Sequence, residues 1–193
     1  ELLAPVPRHG KIVAVGRNYG EHAKEAGGAA QEQPRIISKL PSSVIAPGGR
    51  TFWAAPYELD GEFGGLGPGG LVAGPDQWGS AKRPAETRNT TIACVATDAI
   101  LTPAQAKRFA VMAQDGLARA IRPIHAPFDG DVVFALSTGR RPLEGPVDYT
   151  LARLGALAAD ALARAVARGV FEATPWPDAY VPCWRDLPGS DGG

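Results

Sequence analysis

The chain has 193 residues, enough for one ordinary domain or a domain with an added fragment. Hydrophobic residues make up 45% and charged residues 21%, the balance of a soluble protein able to bury a core. A formal net charge of +0 excludes the basic surplus that nucleic-acid binding or a polybasic membrane surface requires, and no apolar run approaches the ~20 residues of a spanning helix.

The opening ELLAPVPRHG has no basic stretch followed by an apolar one, so no secretory leader is expected. Residues 11 to 15, KIVAV, read as a short buried strand, and Tyr19 to Ala26 as a short helix closed by Gly27 and Gly28. Pro34 to Val44 is extended, and Pro47-Gly48-Gly49 marks a break near residue 50. From Gly61 to Asn89 the chain is rich in Gly and Pro and poor in apolar residues, which predicts a mobile linker. The run TTIACVATDAI from Thr90 carries small and β-branched residues on both faces, as a strand covered on both sides would.

Thr102-Pro103-Ala104-Gln105 has the form of a helix start, with Thr as N-cap, Pro at the first helical position and Gln completing a capping box. Ala106, Phe109, Ala113, Leu117, Ala120 and Ile121 make its apolar stripe, and Pro123 stops it. A second strand, DVVFALSTG, starts at Asp131. A longer helix is predicted from Tyr149 to Phe171, burying Leu151, Leu154, Ala158, Leu162, Ala165 and Val170, with Asp160, Arg164 and Arg168 on its wet face. The alternation of strands and helices gives an α/β class with helices layered on a sheet.

Two places could carry chemistry. At Asn89-Thr90-Thr91 a linker delivers a hydroxyl to the head of a strand. Were the bond before Thr90 cut, its new α-amine could take the proton of its own hydroxyl, which activates a weak alcohol. The same residues also suit an ordinary turn followed by a β-former. At Asp129-Gly130-Asp131 two carboxylates one residue apart can converge on one site, or can simply close a solvated turn. A metal reading with Asp98 as third ligand has no His or Cys cluster behind it. Cys94 reads as a small buried hydrophobe, and His125 could face the site but reads more simply as a loop histidine with backbone partners. Trp176, Tyr180 and Trp184 read as a C-terminal segment packed on the helices. Two cysteines, Cys94 and Cys183, are too few for a disulfide framework and fit a reducing, cytoplasmic setting.

The motifs NTTIxxVATDA, QAKRxA, DGLARAIRPxH and DGDxVFALSTG occur in order between Asn89 and Gly139, and FWAAPYELDGEFGGLG precedes them. Together they resemble the DmpA-type peptidases, self-processing hydrolases that include aminopeptidases and nylon-oligomer hydrolases, over about residues 51 to 187. The resemblance implies an αββα sandwich, here incomplete. It also implies self-cleavage between Asn89 and Thr90, a Thr90 nucleophile oriented by Asp129 and Asp131, and no cofactor. The Thr nucleophile with Asp-Gly-Asp is similar to the nylon-hydrolase branch. A peptide or oligoamide substrate and a homo-oligomer are expected, with no nucleic-acid or membrane partner.

Residues 1 to 50, with GKIVAVGRNYGEHAKEAG and PRIISKLPSSVIAPGG, resemble the start of fumarylacetoacetate-hydrolase-family domains. That resemblance implies an acid/base pair at His22 and Glu25 in a metal-dependent enzyme, although no carboxylates here have that family's metal-ligand spacing. The expected organisation is therefore composite. Residues 1–50 come from one hydrolase type, 51–89 form the end of a large chain with its linker, and 90–193 form the nucleophile-bearing region. The Lys and Asn that the peptidase family draws from its large chain find no matching motif, Lys39 and Asn18 being of the right type but in the first segment. An inactive truncated or composite subunit is the remaining alternative.

Overall fold

The capping box at Thr102 forms as its residue types dictate. The Thr102 hydroxyl accepts from the Gln105 amide at 3.3 Å, and the Gln105 side chain accepts from the Thr102 amide at 2.8 Å. Helix α1 (Pro103–Ala120) starts there, and Ile121 is its C-cap, two residues ahead of Pro123. In this computed structural model the described residues are 14–16, 35–37, 44–45, 50–68, 90–127, 129–174 and 183–187.

Among the described residues, four strands and a second α-helix accompany α1. They are β1 (Ala14–Gly16), β2 (Arg35–Ile37), β3 (Ile92–Ala99), β4 (Val132–Arg141) and α2 (Val147–Phe171). β1 and β2 pair antiparallel, while β3 and β4 pair in parallel across the α1 crossover. The described residues thus form an α/β architecture. The predicted helix at Tyr19 to Ala26 lies outside them, as do Trp176 and Tyr180.

The register runs from Ile92 opposite Val132 to Thr97 opposite Ser137, then slips so that Ala99 faces Arg141. Gly139 lies in the slipped segment with a φ of +64°, a left-handed conformation that costs glycine little.

Both helices pack on one face of the parallel pair. Val95, Thr97 and Ala99 point into that core with Phe109, Ala113, Leu117, Leu162 and Val166. Fully burying residues such as Phe109 and Leu117 stabilises the fold by roughly 1.5–3 kcal/mol each. No described residue covers the opposite face, where Phe134 is 58% and Leu136 55% exposed beside Ile92 and Val132. Among the described residues β3 is therefore covered on one side, not two. Its run of Thr, Ala and Cys has no polar face to announce the asymmetry. Cys94 falls on the open side and is exposed rather than buried.

The helices meet through glycine. A Cβ on Gly116 would lie 2.2 Å from the Ala159 carbonyl oxygen, so only glycine admits this approach of α1 to α2. On α2, Leu151, Ala158 and Leu162 are buried as expected, but Ala165 is exposed and Val166 and Ala167 take the core positions. Its charged residues reach to other elements rather than along the helix. Asp160 pairs with Arg119 of α1, and Arg164 and Arg168 pair with Glu62.

Glu62 belongs to the first part of the predicted linker, of which residues 61–68 are described and folded onto the helices. Phe63 is buried, and Glu58 accepts from the amides of Phe63 at 2.8 Å and Gly65 at 2.9 Å. Phe52 stacks on Trp184 with centroids 5.5 Å apart, and Phe171 lies 5.0 Å from the same indole. The indole nitrogen donates to the Arg50 carbonyl at 3.2 Å, completing the packing expected of Trp184. Ile45 and Phe52 form a β-bridge, and both join the core of the helices.

Candidate active site

Parallel pairing of β3 with β4 sets the heads of the two strands side by side, and the candidate residues fall there. Thr90 lies ahead of β3, and Gly130 and Asp131 lie ahead of β4. A Cβ on Gly130 would be 3.0 Å from the Thr90 hydroxyl oxygen, so the bare Gly130 backbone directly borders that hydroxyl. The Thr91 carbonyl accepts from the Val132 amide at 2.9 Å and locks the two strand heads together.

Asp131 fixes the next peptide. Its Oδ1 accepts from the Thr91 amide at 2.7 Å, while Oδ2 accepts from the His125 amide at 3.1 Å. The His125 ring contributes as well, with Nδ1 3.2 Å from the same oxygen. The Asp131 side chain is 1% exposed, so its cost of desolvation is met by these donors. His125 therefore has a carboxylate partner beyond its backbone contact. It holds a φ of +58°, which swings its amide and its ring toward one acceptor.

Asp129 closes the turn between them. Its Oδ2 accepts from the Ala126 amide at 2.9 Å, and its own amide donates to the Ala126 carbonyl at 2.8 Å. The two aspartates thus serve the backbone on either side of Gly130. Asp98 is remote from them, at the far end of β3 and paired with Arg141 at 3.0 Å, which removes it as a third ligand. Among the described residues no group of three or more His, Cys, Asp or Glu side chains is placed to hold a metal ion.

Thr90, Asp129 and Asp131 are thus brought together. Asn89, His22, Glu25, Lys39 and Asn18 lie outside the described residues. Sequence reasoning allowed that His125 could face the site but preferred a loop histidine with backbone partners. Its signal was the six-residue separation from Asp131 across a Pro-containing turn, which carries no periodicity to read. Chemically, the corner can hold a hydroxyl residue rigidly at the head of a strand, with a buried acidic acceptor one peptide away.

Comparison with known proteins places this corner in a family. The family model for peptidase family S58 matches residues 13–179. The chain is 50% identical over 114 residues to an uncharacterized aminopeptidase of Mycobacterium bovis, covering 54% of this chain and 33% of that protein. It is 48% identical over 101 residues to one of Mycobacterium leprae, covering 48% of this chain and 28% of the relative. A shorter likeness, 47% identity over 46 residues, links it to a mitochondrial oxaloacetate tautomerase of Homo sapiens, covering 24% of this chain and 15% of that enzyme. The chain spans about a third of the length of the mycobacterial relatives. With the matched residues taking in both strand heads and both helices, the chain belongs to peptidase family S58, the DmpA family.

Proposed function

We propose that the chain is an amide- or peptide-bond hydrolase that cuts itself between Asn89 and Thr90 and then uses Thr90 as an N-terminal nucleophile. In the first step the Thr90 hydroxyl attacks the Asn89 carbonyl carbon and the Asn89–Thr90 C–N bond breaks, moving the acyl group from nitrogen to oxygen. Water then hydrolyses that ester, leaving a carboxylate on Asn89 and a free amine on Thr90. In turnover the amine takes the hydroxyl proton, the oxygen forms an acyl-enzyme with the substrate and the leaving amine is protonated. Water releases the acid.

The observation that carries this reading is the placement of the Thr90 hydroxyl against Gly130, with the following peptide fixed to the buried Asp131. Family membership and the aminopeptidase relatives support a peptide substrate. In the proposed whole, the β3–β4 pair and its helices are one half of an αββα sandwich, and the uncovered face of Ile92, Val132, Phe134 and Leu136 supports association into a homo-oligomer. A chain with only two cysteines, Cys94 and Cys183, fits work in the reducing cytoplasm.

Intact mass under denaturing conditions tests the reading. Two chains are expected, the smaller beginning at Thr90, and Thr90→Ala protein is expected to stay whole. An uncut wild-type chain, or a cut Thr90→Ala chain, overturns it. An uncut chain supports instead the reading of an inactive composite subunit. The likeness to an oxaloacetate tautomerase favours a second reading, a metal-dependent activity through His22 and Glu25. Bound Mg²⁺ or Mn²⁺ in the purified protein would support it.

A further inference from the structure

His125 is a titratable side chain in the corner that has no part in the proposed reaction. Its ring nitrogen Nδ1 and its backbone amide both address Asp131 Oδ2, at 3.2 Å and 3.1 Å. The other oxygen of the same carboxylate holds the Thr91 amide at 2.7 Å. That amide is the nitrogen of the Thr90–Thr91 peptide, so a single buried carboxylate joins the imidazole to the backbone of the candidate nucleophile. Its side chain is 1% exposed, which leaves little water to screen one end from the other.

We propose that His125 is a positioning residue for Thr90, acting through Asp131, so that the charge on the imidazole is felt at the Thr90–Thr91 peptide. The inference rests on the reading of Thr90 as nucleophile for its consequence in catalysis, but the coupling itself is a property of the folded chain. Histidine is the side chain whose charge ordinarily changes between about pH 5 and 8, which makes the imidazole the member of the link to vary by pH. The acidic groups bonded into the corner are Asp131 from the head of β4 and Asp129 from the turn. Arg122, three residues upstream, lies with its guanidinium 4.8 Å from the Trp53 ring centroid.

The geometry also supplies a discriminating substitution. Asparagine tolerates the φ of +58° and can place an amide N–H near the position of Nδ1, but it does not titrate. His125→Asn therefore keeps the contact and removes the charge, whereas His125→Ala removes both.

The test is a pH titration of the full chain by NMR, following the Thr91 amide and the His125 ring together. The expected result is that the Thr91 amide shifts with the midpoint of the His125 ring in wild type, and stays flat over that range in His125→Asn. A Thr91 amide that is flat in wild type, or that titrates unchanged in His125→Asn, overturns the coupling. Self-cleavage rates, read by intact mass in parallel, are expected to fall on the order of tenfold in His125→Ala and to lose their dependence on the imidazole midpoint in His125→Asn. Equal cleavage rates and pH profiles in all three chains overturn the positioning role. If the wild-type chain is never cut, it is the self-processing reading that fails, and the amide titration decides the coupling.

Discussion

Gly130 stands against Thr90 so closely that a side chain on the glycine would begin 3.0 Å from the threonine hydroxyl oxygen. The parallel register forces this closeness, because Ile92 and Val132 are paired and the residues two places upstream run side by side. The Asp-Gly-Asp sequence thereby does two things at once. Its acids bind backbone amides, and its glycine leaves the threonine hydroxyl room.

Gly130→Ala is expected to displace that hydroxyl by a few tenths of an ångström with little effect on the core. If Thr90 is the nucleophile, self-cleavage slows on the order of tenfold or more, since small displacements of a reacting atom are costly. Mass spectrometry over time measures this, and a melting temperature within about 2 °C of wild type separates it from unfolding.

Thr91 is 3% exposed, and its hydroxyl has no hydrogen-bond partner among the described residues. Burying a hydroxyl without a partner costs about 1–3 kcal/mol, whereas a methyl at the same place costs nothing of the kind. Thr91→Val is therefore expected to raise stability by about 1 kcal/mol, in contrast to the usual loss when a bonded core threonine is replaced. Urea unfolding measures it, and a clear loss of stability would contradict it.

The two helices meet at glycines of unequal tolerance. A Cβ on Gly116 meets the backbone oxygen of Ala159 at 2.2 Å, whereas on Gly155 it meets the Met112 sulfur at 2.6 Å and that side chain's Cβ at 2.8 Å. Backbone can yield only by moving a helix, while a methionine can turn aside part of its length. Gly116→Ala is expected to cost about 2–3 kcal/mol and Gly155→Ala distinctly less, ranked by thermal or urea denaturation.

What could be read in advance divides along physical lines. Helix α1 was legible because its signals are local, with Thr102, Pro103 and Gln105 lying within one turn of each other. The strands were legible as strands, and only the family resemblance implied that Thr90 would meet the Asp-Gly-Asp turn. The one-sided cover of β3 was not, because Ile92 and Cys94 are as apolar as Val95, and composition cannot say where a sheet ends. Arg164 and Asp160 have ideal spacing for each other, yet each pairs with a residue of another element. Local spacing states only what is possible within a helix. The tie between His125 and Asp131 depends on a turn with positive φ at a histidine, which no residue type there foretells.

The contacts between Phe52 and Trp184 and between Glu62 and Arg164 span the stretch that contains the Asn89–Thr90 bond. While the chain is whole, these contacts are intramolecular, and the tether keeps the partners at a high effective concentration. Severing that bond would turn the same contacts into an interface between two polypeptides, with a dissociation constant of its own. The residues that anchor Phe52 and Phe63 in the core would then decide whether a processed molecule survives dilution. A cut chain would still run as one species under native conditions for as long as that interface held.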